Sequence, residues 1–154
     1  AGTIRGSKVF EPGELSRKTI MEMHPFGNAI VKIHITGAEM RQYIDRQLDC
    51  YGDVCGNFVQ ISGLKYSMNT TAPVGSRLTD VMHMDGTPVG DDQTFTLALS
   101  DFMLATSPLK RNRLYNMVTL NDAVPITSAL FDAVKAAGKG CIHPKVEGRI
   151  TTAS

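Results

Sequence analysis

The chain has 154 residues, a net charge of +1 and 42% apolar residues. That length fits one domain with a sizeable core. The near-neutral balance argues against the electrostatic footprint of a nucleic-acid binder, so no nucleic-acid polymer is expected as a partner. No apolar run approaches the roughly 20 residues of a membrane helix, and the window opens without a charged-then-apolar leader.

In chain order, Ala1–Arg5 begins without a turn or cap, and Glu11-Pro12-Gly13 marks a turn. Ser16 predicts a capped helix from Arg17 to about Met23, which Pro25 stops. Phe26-Gly27-Asn28 reads as a loop. Ala29–Ile35 reads as a strand with Val31, Ile33 and Ile35 on one face. Thr36-Gly37-Ala38-Glu39 is a capping box, and the helix it opens runs to about Asp49. Met40, Tyr43, Ile44 and Leu48 share its inner face. Four strand-like runs follow: Phe58–Ile61, Leu64–Asn69, Arg77–Met84 and Thr94–Ser100. Asp85-Gly86 marks a turn after the third, and Phe95, Leu97 and Leu99 point inward from the fourth. Residues 106–122 read as irregular, with Lys110, Arg111 and Arg113 forming a basic stretch. A last helix spans about Thr127 to Ala137, with Leu130, Phe131 and Val134 inward and Gly138 as its stop. A final short strand includes Lys145–Ile150. There is no internal repeat or linker. Strands clustered between helices give an α+β class with a mixed β-sheet flanked by helices.

The residues alone offer no catalytic constellation. His24, His34, His83 and His143 lie outside metal-ligand spacing of one another, and ordinary structural roles are expected for them. No nucleophile elbow or phosphate-cradling loop is present. No catalytic or metal-binding residue is therefore assigned. Cys50 and Cys55 either close a small loop or stay as buried thiols, and Cys141 makes the count odd.

Several blocks, in order, resemble the C-terminal domain of 5'-nucleotidases, the two-domain enzymes that include bacterial UDP-sugar hydrolases. They are Pro25-Phe26-Gly27-Asn28, the Thr-Gly-Ala-x-Met run from Thr36, and Gly56-Asn57-Phe58-Val59-Gln60-Ile61-Ser62-Gly63-Leu64-Lys65-Tyr66. Pro73-Val74-Gly75-Ser76-Arg77, Asp85-Gly86-Thr87-Pro88-Val89, Asp101-Phe102-Met103-Leu104-Ala105 and Pro144 to Ile150 continue the likeness across nearly the whole chain. The resemblance implies one domain over residues 1–154, beginning late within the family fold, so that its sheet is truncated at the N-terminal edge. A missing first strand leaves an unpaired edge, to be filled by an upstream segment.

The resemblance also implies a division of labour. An N-terminal metallophosphatase domain holds two divalent metals and hydrolyses the phosphate ester. The C-terminal domain binds the nucleotide or nucleoside, needs no cofactor of its own and is not catalytic alone. By correspondence, Phe26 and Phe102 sandwich the base, Asn28 contacts the base edge, and Arg5 binds phosphate or sugar. Stacking suits any base, an amide offers both donor and acceptor, and a guanidinium fork suits a phosphate. Taken on the residues alone, both rings would be core phenylalanines, Asn28 a loop cap and Arg5 a solvated side chain.

One departure stands out. Where the family carries Gly-Gly-Asp-Gly, whose Asp accepts from the ribose hydroxyls, this chain reads Thr106-Ser107-Pro108-Leu109-Lys110-Arg111-Asn112-Arg113. The sequence thus leaves three functions open: the recognition domain of a nucleotidase-like hydrolase, a non-catalytic surface or binding protein of the same fold, and part of a cyclic-nucleotide phosphodiesterase relative. The resemblance implies a secreted, periplasmic or cell-surface location, which a Cys50–Cys55 bridge would match. Asn69-Thr70-Thr71 is a glycosylation acceptor pattern in a eukaryotic source.

Overall fold

A computed structural model of the chain describes residues 11–53, 56–107, 109, 125–137 and 141–153. Among these residues the elements are, in order, α1 (Arg17–Met23), β1 (Ile30–Thr36), α2 (Gly37–Gln47), β2 (Leu64–Asn69), β3 (Leu78–His83), β4 (Thr94–Ser100), α3 (Asp101–Thr106), α4 (Ile126–Ala136) and β5 (Ile150–Ala153). The α+β class holds, but the strands divide into two sheets. β1 and β4 form an antiparallel pair, and the second sheet has the order β3-β2-β5. In it β3 runs antiparallel to β2 and β5 runs parallel.

One continuous core joins the two sheets. β1 alternates strictly, with Val31, Ile33 and Ile35 buried and Lys32 and His34 exposed. The buried face meets Met40, Tyr43, Ile44 and Leu48 from α2, and the cluster continues through Leu64, Tyr66 and Met68 of β2 and Val81 of β3. The capping box forms as the sequence indicates: Thr36 Oγ1 accepts from the Glu39 N–H, and Glu39 Oε2 accepts from the Thr36 N–H at 2.8 Å.

The turn from β1 into α2 is also locked from outside. The Gly37 N–H donates to the Gln93 carbonyl at 2.8 Å and the Ala38 N–H to the Asp91 carbonyl at 3.0 Å. A Cβ at Gly37 would overlap the Gly90 carbonyl oxygen, so only glycine permits this approach. Arg41 reinforces the junction, donating to the Val89 carbonyl and pairing with Asp91 at 3.0 Å. At the other end of α2, Arg77 Nη1 donates to the Leu48, Asp49 and Tyr51 carbonyls at 2.7, 3.2 and 3.3 Å. One guanidinium thus gathers three carbonyls of the segment that follows α2.

Three expectations need correction, and one element is new. Phe58–Ile61 pairs with no strand among the described residues. It is held by side chains instead: Tyr66 Oη donates to the Val59 carbonyl at 3.0 Å, and Arg149 Nη1 to the Ile61 carbonyl at 2.7 Å. The closing strand is Ile150–Ala153 rather than Lys145–Ile150. Gly148 has a φ of 64° and breaks the extended run, while Val146 is fully solvated. In α4, Leu130 is exposed rather than inward, because the helix packs along α1 and leaves an open hollow beside Leu130. Phe131 is half-buried beneath the cations of Arg17 and Lys135, at 4.3 and 4.8 Å from its centroid. Finally, α3 is a helix that the hydrophobic pattern does not announce. Ser100 caps it, accepting from the Met103 N–H at 3.0 Å.

Candidate nucleoside-binding site

The antiparallel register of β1 and β4 sets Ile30 opposite Ser100. The loop before β1 and the helix after β4 therefore leave the same end of the sheet. The Asp101 N–H donates to the Ala29 carbonyl at 3.0 Å, continuing the pairing one step past the strands. The start of α4 joins them, where the Ile126 N–H donates to the Asn28 carbonyl at 3.0 Å. Phe26, Asn28 and Phe102, distant in sequence, thus share one end of the fold.

Asn28 and Asp101 make the central contact. Asn28 Nδ2 donates to Asp101 Oδ1 at 2.9 Å, and the same oxygen accepts the Phe102 N–H at 2.7 Å. One carboxylate therefore ties the Pro25–Asn28 loop to the first turn of α3. The two rings are not core residues: Phe26 is 38% exposed and Phe102 is 56% exposed. The loop has a firm base. His24 is buried and meets the Phe26 ring edge-on, with centroids 6.0 Å apart and planes at 89°. Next to this end lies an open hollow of about 340 Å3, lined by Ile30, Ala98, Leu99, Ser100, Ile126, Ala129 and Leu130.

Arg5 and the basic stretch Lys110, Arg111 and Arg113 lie outside the described residues, as do Gly138 and Cys55. Cys50 is disulfide-bonded, and Cys141 is an exposed free thiol. Among the described residues no group of three or more His, Cys, Asp or Glu is placed to hold a metal ion. No helix of the described residues is long and apolar enough to cross a membrane. The sequence reading omits Asp101 from the site. Its partner Asn28 lies 73 positions away, and only the strand register reveals the pair.

Residues 1–107 match the family model described as 5'-nucleotidase, C-terminal domain. A cell wall protein of Listeria monocytogenes is 30% identical over 142 residues, covering 88% of this chain and 17% of that protein. A 5'-nucleotidase of Diplobatis ommata is 26% identical over 149 residues, covering 90% of this chain and 25% of that enzyme. The crystal structure of a 5'-nucleotidase precursor from Thermus thermophilus superposes with a TM-score of 0.83 at 24% identity, over 98% of this chain and 30% of that one. This chain therefore spans under a third of each of these proteins. With the family model matching more than half of its residues, the chain belongs to the C-terminal domain family of 5'-nucleotidases.

Proposed function

We propose that this domain recognises the nucleoside part of a nucleotide and presents its phosphate to a metal-bearing hydrolytic domain of the same protein. The observation that carries the reading is the Asn28–Asp101 contact, which gathers Phe26 and Phe102 at one end of the fold with both rings exposed. A base stacked between two rings gains about 1–3 kcal/mol per contact, and an amide at its edge adds direction. Arg5 is proposed to take the phosphate end. In this reading the domain binds and orients, and hydrolysis rests with the metallophosphatase domain. A secreted or cell-surface location is proposed with it. It is supported by the disulfide at Cys50 and by the relative named as a cell wall protein.

A second reading is favoured by one feature, the replacement of Gly-Gly-Asp-Gly by Thr106–Arg113. Without that Asp the ribose hydroxyls lose their acceptor, and the protein would be a binding or surface protein without turnover. Calorimetric titration with adenosine and AMP, together with a phosphate-release assay on the full-length protein, tests both. The first reading expects Phe26→Ala and Phe102→Ala each to weaken binding by roughly tenfold to a hundredfold, and the full-length protein to hydrolyse AMP. Binding without hydrolysis selects the second reading. Binding that ignores both substitutions refutes the base clamp.

A further inference from the structure

Among the described residues, the Asn28 side chain makes one hydrogen bond, from Nδ2 to Asp101 Oδ1. A carboxylate only accepts, so the NH2 end of the Asn28 amide is the only end that can make this contact. The carboxylate is itself pinned, because the same oxygen takes the Phe102 N–H. Asn28 Oδ1 has no donor among the described residues. A free asparagine can rotate its amide half a turn and exchange acceptor for donor. Here that rotation would set two oxygens against each other.

We infer that Asp101 is a positioning residue that fixes which way round the Asn28 amide faces, and so makes the domain select between bases with opposite donor–acceptor patterns on their edges. The inference rests on the proposed contact between Asn28 and the base. The amide then offers one acceptor and one remaining N–H in a fixed order. Adenine carries an amino donor beside a ring-nitrogen acceptor, and hypoxanthine carries a carbonyl acceptor beside a ring N–H. The two bases share size and stacking faces, so the rings of Phe26 and Phe102 do not distinguish them. An amide held one way round can.

The test is calorimetric titration of the full chain with adenosine and with inosine, for the native protein, Asp101→Asn and Asp101→Ala. The native protein is expected to bind one of the two about tenfold more tightly, in line with the discrimination of a bidentate asparagine contact. Asp101→Asn should keep the preference, because its carbonyl can accept the same two N–H groups. Asp101→Ala should bring the two affinities within twofold of each other. Equal affinities in the native protein overturn the inference. So does an equal loss for both nucleosides in Asp101→Ala, which would mean that Asp101 merely holds the loop. If the native protein binds neither nucleoside, the base-contact reading is what fails. The orientation is then read without ligand, from the Asn28 side-chain amide protons in a nitrogen-15 spectrum. A downfield proton lost in Asp101→Ala upholds the fixed amide, and identical spectra overturn it.

Discussion

Removing the hydroxyl of Tyr66 should cost the fold more than its size implies. Tyr66 sits in the middle strand of the three-stranded sheet, opposite Val81 on one side and Ile150 on the other. Only 2% of it is exposed, and its hydroxyl donates to the Val59 carbonyl at 3.0 Å. Val59 is itself buried, so Tyr66→Phe leaves a buried acceptor without its donor. Such an orphaned group costs about 1–3 kcal/mol. For a chain of this size that corresponds to a fall in melting temperature of roughly 2–4 °C per kcal/mol. The same burial pushes the Tyr66 hydroxyl up to about 12. Because the folded value is raised, this contribution is whole below the unfolded value near 10 and is lost as pH rises through about 12. Urea denaturation at pH 7 and at pH 9 to 11.5 checks both parts. The native protein should weaken across the alkaline range, and Tyr66→Phe should weaken less. Tyr43, raised by burial as well, leaves a residual slope in the variant. A Tyr66→Phe protein as stable as the native one at pH 7 would refute the reasoning.

Other sites make independent demands. Gly37→Ala should destabilise by about 3 kcal/mol, because its Cβ meets the Gly90 carbonyl oxygen and neither backbone can yield, and thermal unfolding would reveal it. Arg77→Ala should cost about 2 kcal/mol in a denaturant titration, since it strips the shared donor from the carbonyls at the end of α2. Asp85 is held below the usual carboxylate range, first by the Thr87 backbone N–H and then by the Thr87 hydroxyl. Its stabilisation is therefore present above the unfolded carboxylate value near 4 and disappears as pH falls through the lower folded value. Melting curves should accordingly show the gap between native protein and Asp85→Ala closing below pH 4.

Local signals carried much of this architecture. Ser16 before Arg17 and Thr36 with Glu39 set two helix starts, and the alternation of Val31, Ile33 and Ile35 set the buried face of β1. The failures share a cause, which is that distant contacts outweighed local preference. Phe58–Ile61 has the composition of a strand, but Tyr66 and Arg149 claim its carbonyls. Leu130 keeps helical spacing, yet the inner face of α4 meets a hollow. At the candidate site, Phe26, Asn28 and Phe102 were visible through family motifs, not through spacing. Their common position follows from a pairing between strands whose partners lie 58 (94 − 36) to 70 (100 − 30) positions apart, which no local window contains. The contact of Asp101 with Asn28 depends on that same pairing.

The β1–β4 register has a kinetic consequence. Its partners are 58 positions apart at one end (94 − 36) and 70 at the other (100 − 30). Closing so long a loop costs entropy before any contact repays it, so the pair is expected to zip only after the β2–β3 hairpin and α2 have condensed between its strands. The Thr36 end is anchored by the bonds from Gly37 and Ala38, so closure should run towards Ile30 and Ser100. The end bearing Asn28 and Asp101 then forms last. Substitutions there should speed unfolding and leave the folding rate nearly unchanged. A ligand held at that end, as proposed above, would act as a final latch: it would engage only the completed chain and slow the first step of coming apart.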